Sequence, residues 1–576
     1  MTASEEGSLL GKKAASTVFF ISFVLPNLLF SGSYFFSTLH LMKWAGVLFP
    51  LAAAAFAAGW RILRKGTSET GFRLDGFAVV WLFLLLYAMV QPFWSGLRSP
   101  ETFPREWFFF ASMWFVYVLA FMTADRPLLR LLLWGSLVNA AVSVIFAELQ
   151  VRGLNQPFFF ILPTPGHYIA NTGQQNMLAL WLAVGGLNGA FLLLTGREKG
   201  KETLFGIPLL LAVVFWGLVS TTSRSALLSF AVGFASLGAF FIRNTGRVRL
   251  RRILGVTLLF AAVFGMNIFF NEGRWGLLLD KMENVVTNPL SIAQRDSIWA
   301  TSWIMFTAHP LGGVGLGQYK WHYLEAQRGM MQRWPSLQWQ FTHWAHNEFL
   351  QWFCEAGLAG GIVFLFLWGW WWISALLAFL KKRPCSSEAY WGSSMAALFL
   401  FDAVWTRPFH RIENAVWLAL ALAMTNRELL VPLFPTPSPE EFHKGGRILA
   451  LTLMIVSSLG IAYLASGMAG DRLLSRAFDL DRSPLVREEL LEKAMRIPLV
   501  RDIAEKQLAY HYIDLGERAR DPELTAKGLN ALMAFFEKQP HVKELNFLRE
   551  WSLRLDNKPV YEDLASYGPP RKEKGK

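Results

Sequence analysis

Runs of mostly apolar residues, each about 20 long and so able to cross roughly 30 Å of hydrocarbon, recur from near the N-terminus to about residue 467. The bilayer core offers no water to backbone N–H and C=O groups, so such segments settle as helices that satisfy their own hydrogen bonds. The pattern predicts spans near 17–36, 42–60, 75–94, 106–123, 128–149, 177–195, 204–221, 225–242, 252–271, 349–380, 388–405, 411–425 and 447–467, about 12–13 in all. No small-residue cleavage site follows the first run and more spans come at once, so it reads as a membrane helix, not a removable signal. Of the 576 residues 53% are hydrophobic and only 17% charged, with mean hydropathy +0.32, where soluble domains carry roughly a quarter charged residues. The expected fold class is an all-α polytopic membrane protein.

A formal net charge of +13 raises the question of nucleic acid, but its distribution answers otherwise. Basic residues gather in alternate loops: Arg61, Arg64, Lys65 and Arg73; Arg197, Lys199 and Lys201; Arg243, Arg247, Arg249, Arg251 and Arg252; Lys381, Lys382 and Arg383. The positive-inside rule places these loops and the N-terminus in the cytoplasm, and an odd number of spans puts the C-terminal tail outside. The expected location is therefore a bacterial inner membrane with the lipid bilayer as partner, and no nucleic acid. Cys354 falls at the start of a span and Cys385 in a cytoplasmic loop, on opposite sides of the membrane, so they are not expected to pair.

Three stretches break the pattern of span and short loop, and all fall on the predicted outer side. Residues 150–176 hold several prolines and the segment Asn171-Thr-Gly-Gln-Gln-Asn176. Residues 272–348 form the longest loop, with a helical patch at 297–307, then His309-Pro310 and the glycine-rich Gly312-Gly-Val-Gly-Leu-Gly317. No βαβ unit precedes these glycines, so they read as a turn that lets backbone approach closely, not a nucleotide site. The same loop carries Trp275, Trp299, Trp303, Trp321, Trp334, Trp339 and Trp344, which suit either an interfacial aromatic belt or a platform for sugar rings. The tail shows helical periodicity at 473–478, 484–495, 500–515, 522–536 and 541–553, similar to a short tetratricopeptide-like repeat module that would dock or stabilise. The expected division is 1–271 membrane helices, 272–348 outer loop, 349–467 membrane helices and 468–576 helical tail.

Ionisable side chains are expensive at the ends of spans, and four groups sit there on the outer side. Arg224 lies in the short turn Ser220-Thr-Thr-Ser-Arg-Ser225; Arg295 precedes the helix of Trp299 and Trp303; His346 opens the tenth span; Arg407 and Arg411 flank Pro408 and His410. Singly, such an arginine can simply snorkel to headgroups, and such a histidine can be a hydrogen-bonded structural residue. Together, guanidinium groups beside an imidazole suit a substrate with a phosphoanhydride and a hydroxyl. Arginine presents a planar, always-charged fork to phosphate oxygens, and imidazole titrates near neutrality and can take a hydroxyl proton. No Asp-x-Asp motif occurs in the loops that carry these residues, so neither a metal nor another cofactor is expected for this chemistry.

The blocks Thr221-Thr-Ser-Arg-Ser-Ala-Leu-Leu228, Arg295 through His309-Pro-Leu-Gly-Gly-Val-Gly-Leu-Gly317, and His346-Asn-Glu-Phe-Leu-Gln-Trp-Phe-Cys-Glu-Ala-Gly-Leu-Ala-Gly-Gly361 resemble, in order and spacing, those of the O-antigen ligase and polymerase superfamily. The resemblance covers roughly residues 75–425 and implies a GT-C-like fold with a long periplasmic loop. It implies transfer of a glycan from undecaprenyl diphosphate to a hydroxyl acceptor in the periplasm, with inversion. Carried over, Arg224 and Arg295 would bind the diphosphate and His346 would activate the acceptor. The segment Asn171-Thr-Gly-Gln-Gln-Asn176 resembles a block of the pilin-type protein O-oligosaccharyltransferases, with Gln175 where Arg or Pro is expected. Gln174 and Asn176 would then help bind substrate, together with Arg407, Arg411, Trp299 and Trp344. The acceptor stays open between lipid A-core, a protein Ser/Thr and, for a polymerase, a growing glycan. A transporter of the same lipid-linked glycan is the alternative from another class, although transporters favour broken helices at the midplane where this chain gathers polar groups on one face.

Overall fold

The apolar runs close into helices, and no strand occurs among the described residues of the computed structural model. These are residues 12–30, 38–65, 74–196, 200–245, 247–271, 276, 283, 295–431, 446–479 and 482–568. Arg73, Arg197, Lys199, Trp275 and the Gln294 beside Arg295 lie outside them. The first nine helices are α1 (Lys12–Val24), α2 (Thr38–Lys65), α3 (Gly76–Val90), α4 (Thr102–Thr123), α5 (Arg126–Val151), α6 (Gln175–Thr195), α7 (Ile207–Ser220), α8 (Arg224–Thr245) and α9 (Arg247–Phe270). The long loop that the charge pattern puts on the outer side holds α10 (Arg295–Ala308) and α11 (Tyr319–Arg333), followed by α12 (Glu348–Leu380), α13 (Ser387–Ala403), α14 (Ile412–Asn426) and α15 (Gly446–Ala477). The tail adds α16 (Pro484–Met495), α17 (Arg501–Ala519), α18 (Pro522–Lys538), α19 (Val542–Arg554) and α20 (Lys558–Ala565).

Nine helices among the described residues are long and apolar enough to cross a membrane, and the chain is a polytopic membrane protein. The other four predicted runs also form helices, α1, α7, α13 and α14, of 13, 14, 17 and 15 residues. Residues 473–477 are not a separate tail helix but the end of α15, because nothing in 465–473 breaks the helical backbone, and Phe478 follows it as a turn. Helices α11 and α20 carry no long apolar stripe and were not predicted.

The chain divides into two compact units, one made of 1–82, 111–281 and 366–465, the other of 83–110, 282–365 and 466–576. At the centre of the first, α6 is apolar all round and buried along nearly its whole length, as a helix without a polar face must be. Its few polar groups are paired: the Asn188 amide donates to Ser136 Oγ and accepts from the Trp391 indole, both at 2.8 Å. Helices α5 and α7 approach so closely that a Cβ on Gly217 would stand 2.2 Å from a Val144 methyl. Lys43 on α2 and Glu413 on α14 form an ion pair at 3.3 Å with both side chains at most 1% exposed. Neither charge alone would be tolerable there, since removing one partner of such a pair leaves an uncompensated buried charge.

The second unit is organised by a break in α12. Gly357 has φ +63° and ψ −166°, a conformation open essentially to glycine alone. The freed backbone groups are taken up by the glycine-rich loop: Val314 N–H donates to Cys354 O and Gly315 N–H to Glu355 O, both at 2.9 Å, while Leu358 N–H donates to Pro310 O at 2.8 Å. A Cβ on Gly313 would lie 2.3 Å from Glu355 O, so the close approach read from the sequence is what the glycines permit. Side chains complete the joint. The Gln91 amide donates to Gly312 O and Glu355 O at 2.8 Å, Tyr87 donates to Ala356 O at 2.8 Å, and the Glu355 carboxylate accepts from Gly317 N–H at 2.9 Å.

The tail packs within this unit. Ala509, Ile513, Leu532, Phe536, Leu545, Leu548 and Leu564 form one core with Leu324 of α11, against which Trp339 and Phe341 of the outer loop rest. The start of α17 is fixed by Glu101, whose carboxylate accepts from Asp502 N–H at 3.0 Å.

Gly357→Ala should destabilise the protein by about 3 kcal/mol or more, since it adds a Cβ 2.2 Å from Leu311 O in a backbone region that excludes it. Thermal unfolding in detergent measures this, and a variant as stable as the native protein contradicts it.

Candidate functional site

The predicted residues divide between the two units: Gln174, Asn176, Arg224, Arg407 and Arg411 lie in the first, Arg295, Trp299, Trp344 and His346 in the second. In the first unit the turn between α7 and α8 is held by its own threonines. Thr221 Oγ1 donates to Leu218 O at 2.6 Å, and Thr222 adopts a left-handed φ of +50° before Arg224 begins α8. Gln174 and Asn176 are exposed at the start of α6, and Gln175 between them donates to Thr221 O and, at 3.4 Å, to Thr222 Oγ1. The structure thus brings 174–176 against the turn that carries Arg224.

Asn171, from the same block, is fully buried and does a different job. It accepts from Leu162 N–H at 2.9 Å and donates to Leu28 O at 2.7 Å and Phe160 O at 2.8 Å, folding the preceding loop back on itself. Further along α8, Ser229 donates to Asp402 at 3.4 Å, and Asp402 also accepts from Thr406. That anchors the segment in which Arg407, buried, and Arg411 flank the short turn Pro408–His410, near enough to each other for their charges to interact.

In the second unit Arg295 is the first residue of α10, and Trp299 lies one turn further along the same face. The Trp299 indole donates to Ala345 O at 3.1 Å, so it grips the peptide directly before His346. The peptide before that one is held as well. Ala345 N–H donates to Gln351 Oε1 at 3.2 Å, and the Gln351 amide donates to Glu355 at 3.1 Å, which ties His346 to the α12 joint. His346 itself has φ +51°, and Asn347 caps α12 by accepting from Leu350 N–H at 2.9 Å. Thr342 Oγ1 lies 3.3 Å from His346 Nε2, and Trp344 N–H donates to the same hydroxyl at 3.4 Å.

Left-handed backbone with no helix end to explain it falls at Ala170 and His346. Six described residues other than glycine have left-handed φ, and Thr222, Lys382, Arg520 and Asp556 among them follow helix C-termini, where that conformation is ordinary. Strain of this kind persists only where the surroundings over-determine it, as Trp299 and Gln351 do for His346.

The tryptophans of the loop do not share one role. Trp321 is 8% exposed and donates to Thr102 at 3.2 Å, Trp339 packs on the tail core, Trp303 is half exposed, and Trp299 and Trp344 are partly exposed beside His346. Nearby, burial and the Arg105 charge lower the Lys320 ammonium to about 7, and burial and the Arg98 charge lower the His322 imidazole to about 3. No group of three or more His, Cys, Asp or Glu suited to a metal occurs among the described residues. Sequence reasoning missed Thr342, Gln351 and, from the tail, His541. Its Nε2 lies 2.9 Å from His343 Nε2, and its Nδ1 lies 3.0 Å from the buried Glu544.

The chain is a polytopic membrane protein that carries arginine and histidine in turns at its helix ends. Residues 207–365 match the family model described as O-antigen ligase, which supports membership of the O-antigen ligase superfamily and a glycan-processing, glycosyltransferase-like role. The matched segment contains Arg224, Arg295, Trp299, Trp344 and His346, and excludes 174–176 and 407–411. No curated protein matches the chain.

Burial raises the Glu544 carboxyl, but the His541 ring at 3.0 Å and the Lys506 charge at 3.3 Å outweigh it and hold the group down at about 2, below its ordinary 4.5. A depressed acid stabilises the fold above its unfolded value and loses that contribution as pH falls towards 2. Glu544→Gln should therefore remove on the order of 3 kcal/mol at neutral pH and flatten the acid limb of stability between about 4.5 and 2. Unfolding curves across that pH range check this, and identical acid limbs contradict it.

Proposed function

We propose that the protein is a glycan ligase, transferring an oligo- or polysaccharide en bloc from undecaprenyl diphosphate to a hydroxyl acceptor, lipid A-core or a protein Ser/Thr, on the periplasmic face of the bacterial inner membrane. The observation that carries the reading is the held, strained turn at His346 inside the segment that matches the O-antigen ligase model. An imidazole whose preceding residue, Ala345, is held at both its N–H and its C=O is suited to meeting a hydroxyl in a defined direction.

In this reading Arg224 and Arg295 bind the diphosphate, each offering a fork of N–H donors to its oxygens. The acceptor oxygen forms a bond to the anomeric carbon as the bond from that carbon to the phosphate oxygen breaks. The electron pair leaves on undecaprenyl diphosphate, where the guanidinium groups stabilise the growing charge. The acceptor proton passes to His346. A single displacement of this kind inverts the anomeric centre, and the arginines supply the positive charge that a metal would otherwise provide. Gln174, Asn176, Arg407, Arg411, Trp299 and Trp344 are assigned to substrate binding. The bilayer keeps the donor's lipid in place while its diphosphate is presented.

His346→Ala should lower transfer by about 10²-fold or more while leaving binding of the lipid-linked donor intact. Arg224→Ala and Arg295→Ala should weaken donor binding as well. Transfer assays on purified protein with donor-binding measurements distinguish these outcomes. Normal transfer by His346→Ala with impaired translocation of the lipid-linked glycan would point to a transporter. Glycan analysis of a strain lacking the protein separates the acceptors: loss from lipopolysaccharide, loss from a glycoprotein, or shortened chains for a polymerase.

A further inference from the structure

The outer loop reaches His346 through residues 341–345, and the tail holds the beginning of that stretch. Phe341 rests on the tail core, with its ring edge-on to His541 at 4.8 Å. The next-but-one residue, His343, stacks on His541 at 5.1 Å with the rings 27° apart, and across the 2.9 Å between their Nε2 atoms one ring donates and the other accepts. Thr342, whose hydroxyl lies 3.3 Å from His346 Nε2, is therefore flanked on both sides by residues that a single tail side chain engages.

His541 is itself fixed. It stands at the start of α19, with Lys543 N–H donating to its Nδ1 at 3.2 Å and Glu544 Oε2 3.0 Å from the same atom. Glu544 is 2% exposed and is paired on its other oxygen with Lys506 of α17 at 3.3 Å. A chain of polar contacts thus runs from the tail interior, Lys506 to Glu544 to His541 to His343, and ends one residue from the hydroxyl that meets His346.

We infer that His541 is a positioning residue for His346: through His343 and Phe341 it sets the Thr342 hydroxyl that orients the imidazole, so the C-terminal tail completes the site. The inference rests on the transferase reading for the role of His346. It makes the tail part of the working unit rather than an appended module.

The test uses the full chain in nanodiscs with the native lipid-linked glycan extracted from a strain lacking the protein. His541→Ala should lower kcat by about tenfold or more with the donor KM within about twofold. His541→Gln, whose terminal amide can donate to His343 from nearly the position of the imidazole Nε2, should restore kcat to within about threefold of the native protein. Melting temperatures of both variants are measured alongside. Loss of kcat in His541→Ala with recovery in His541→Gln supports the assignment. Equal impairment in both variants, in step with equal loss of melting temperature, overturns it in favour of packing alone. If His346→Ala abolishes transfer while His541→Ala keeps native kcat, the tail assignment fails and the transferase reading stands. If His346→Ala retains full transfer, the transferase reading fails and this inference with it.

Discussion

The break of α12 at Gly357 is the constraint on which the second unit depends. A membrane-length helix that turns sharply within an apolar setting leaves carbonyl and amide groups without partners, and those groups are costly unless something polar reaches them. Here the loop 310–317 supplies backbone N–H groups at hydrogen-bond distance from Cys354 and Glu355, and Pro310 O accepts from Leu358. Only glycine at 313 and 357 lets the two backbones come so close. Once this joint is made, the directions in which α10 arrives and α11 leaves are fixed, and the start of α12 is fixed with them.

That joint also explains how a strained residue can persist at His346. Glu355 accepts from Gly317 within the joint and from the Gln351 amide, and Gln351 in turn holds the Ala345 peptide. Trp299 of α10 donates to the carbonyl of the next peptide, between Ala345 and His346. Left-handed backbone costs on the order of 1–3 kcal/mol, and each of these bonds contributes about 1 kcal/mol, so several together are needed to hold it. Rigidity at the imidazole is therefore a property of the whole loop and not of the histidine's own neighbours in the chain.

The sequence made the large features legible. Apolar length and periodicity located the membrane helices, because burying or dissolving such runs in lipid leaves few other solutions, and the glycine-rich segment was correctly read as a place of close backbone approach. The blocks around Arg224, Arg295 and His346 were also visible as motifs. Other features were not. Helix α11 has scattered apolar residues that face three different neighbours, so no stripe announces it. Asn171 looked like part of a polar recognition block, yet it is a buried clamp on three backbone groups, and nothing local distinguishes the two. The tryptophans of the loop looked alike in the chain and separate in space into a core residue, a backbone donor and exposed rings.

By itself the sequence determined that this chain is a bundle of membrane helices with charged turns and a helical tail, since hydrophobic length, basic asymmetry and glycine placement act locally and survive any arrangement of the parts. What only tertiary structure decided is which distant residues act on the same atoms. His541 lies far along the chain from His343, Gln91 far from Glu355, and Asp402 far from Ser229, and none of these pairs has a spacing or a composition that marks it. Hydrogen bonds are short-ranged, so their partners are set by where the packed helices bring each side chain, and that is settled only when the apolar surfaces have found one another.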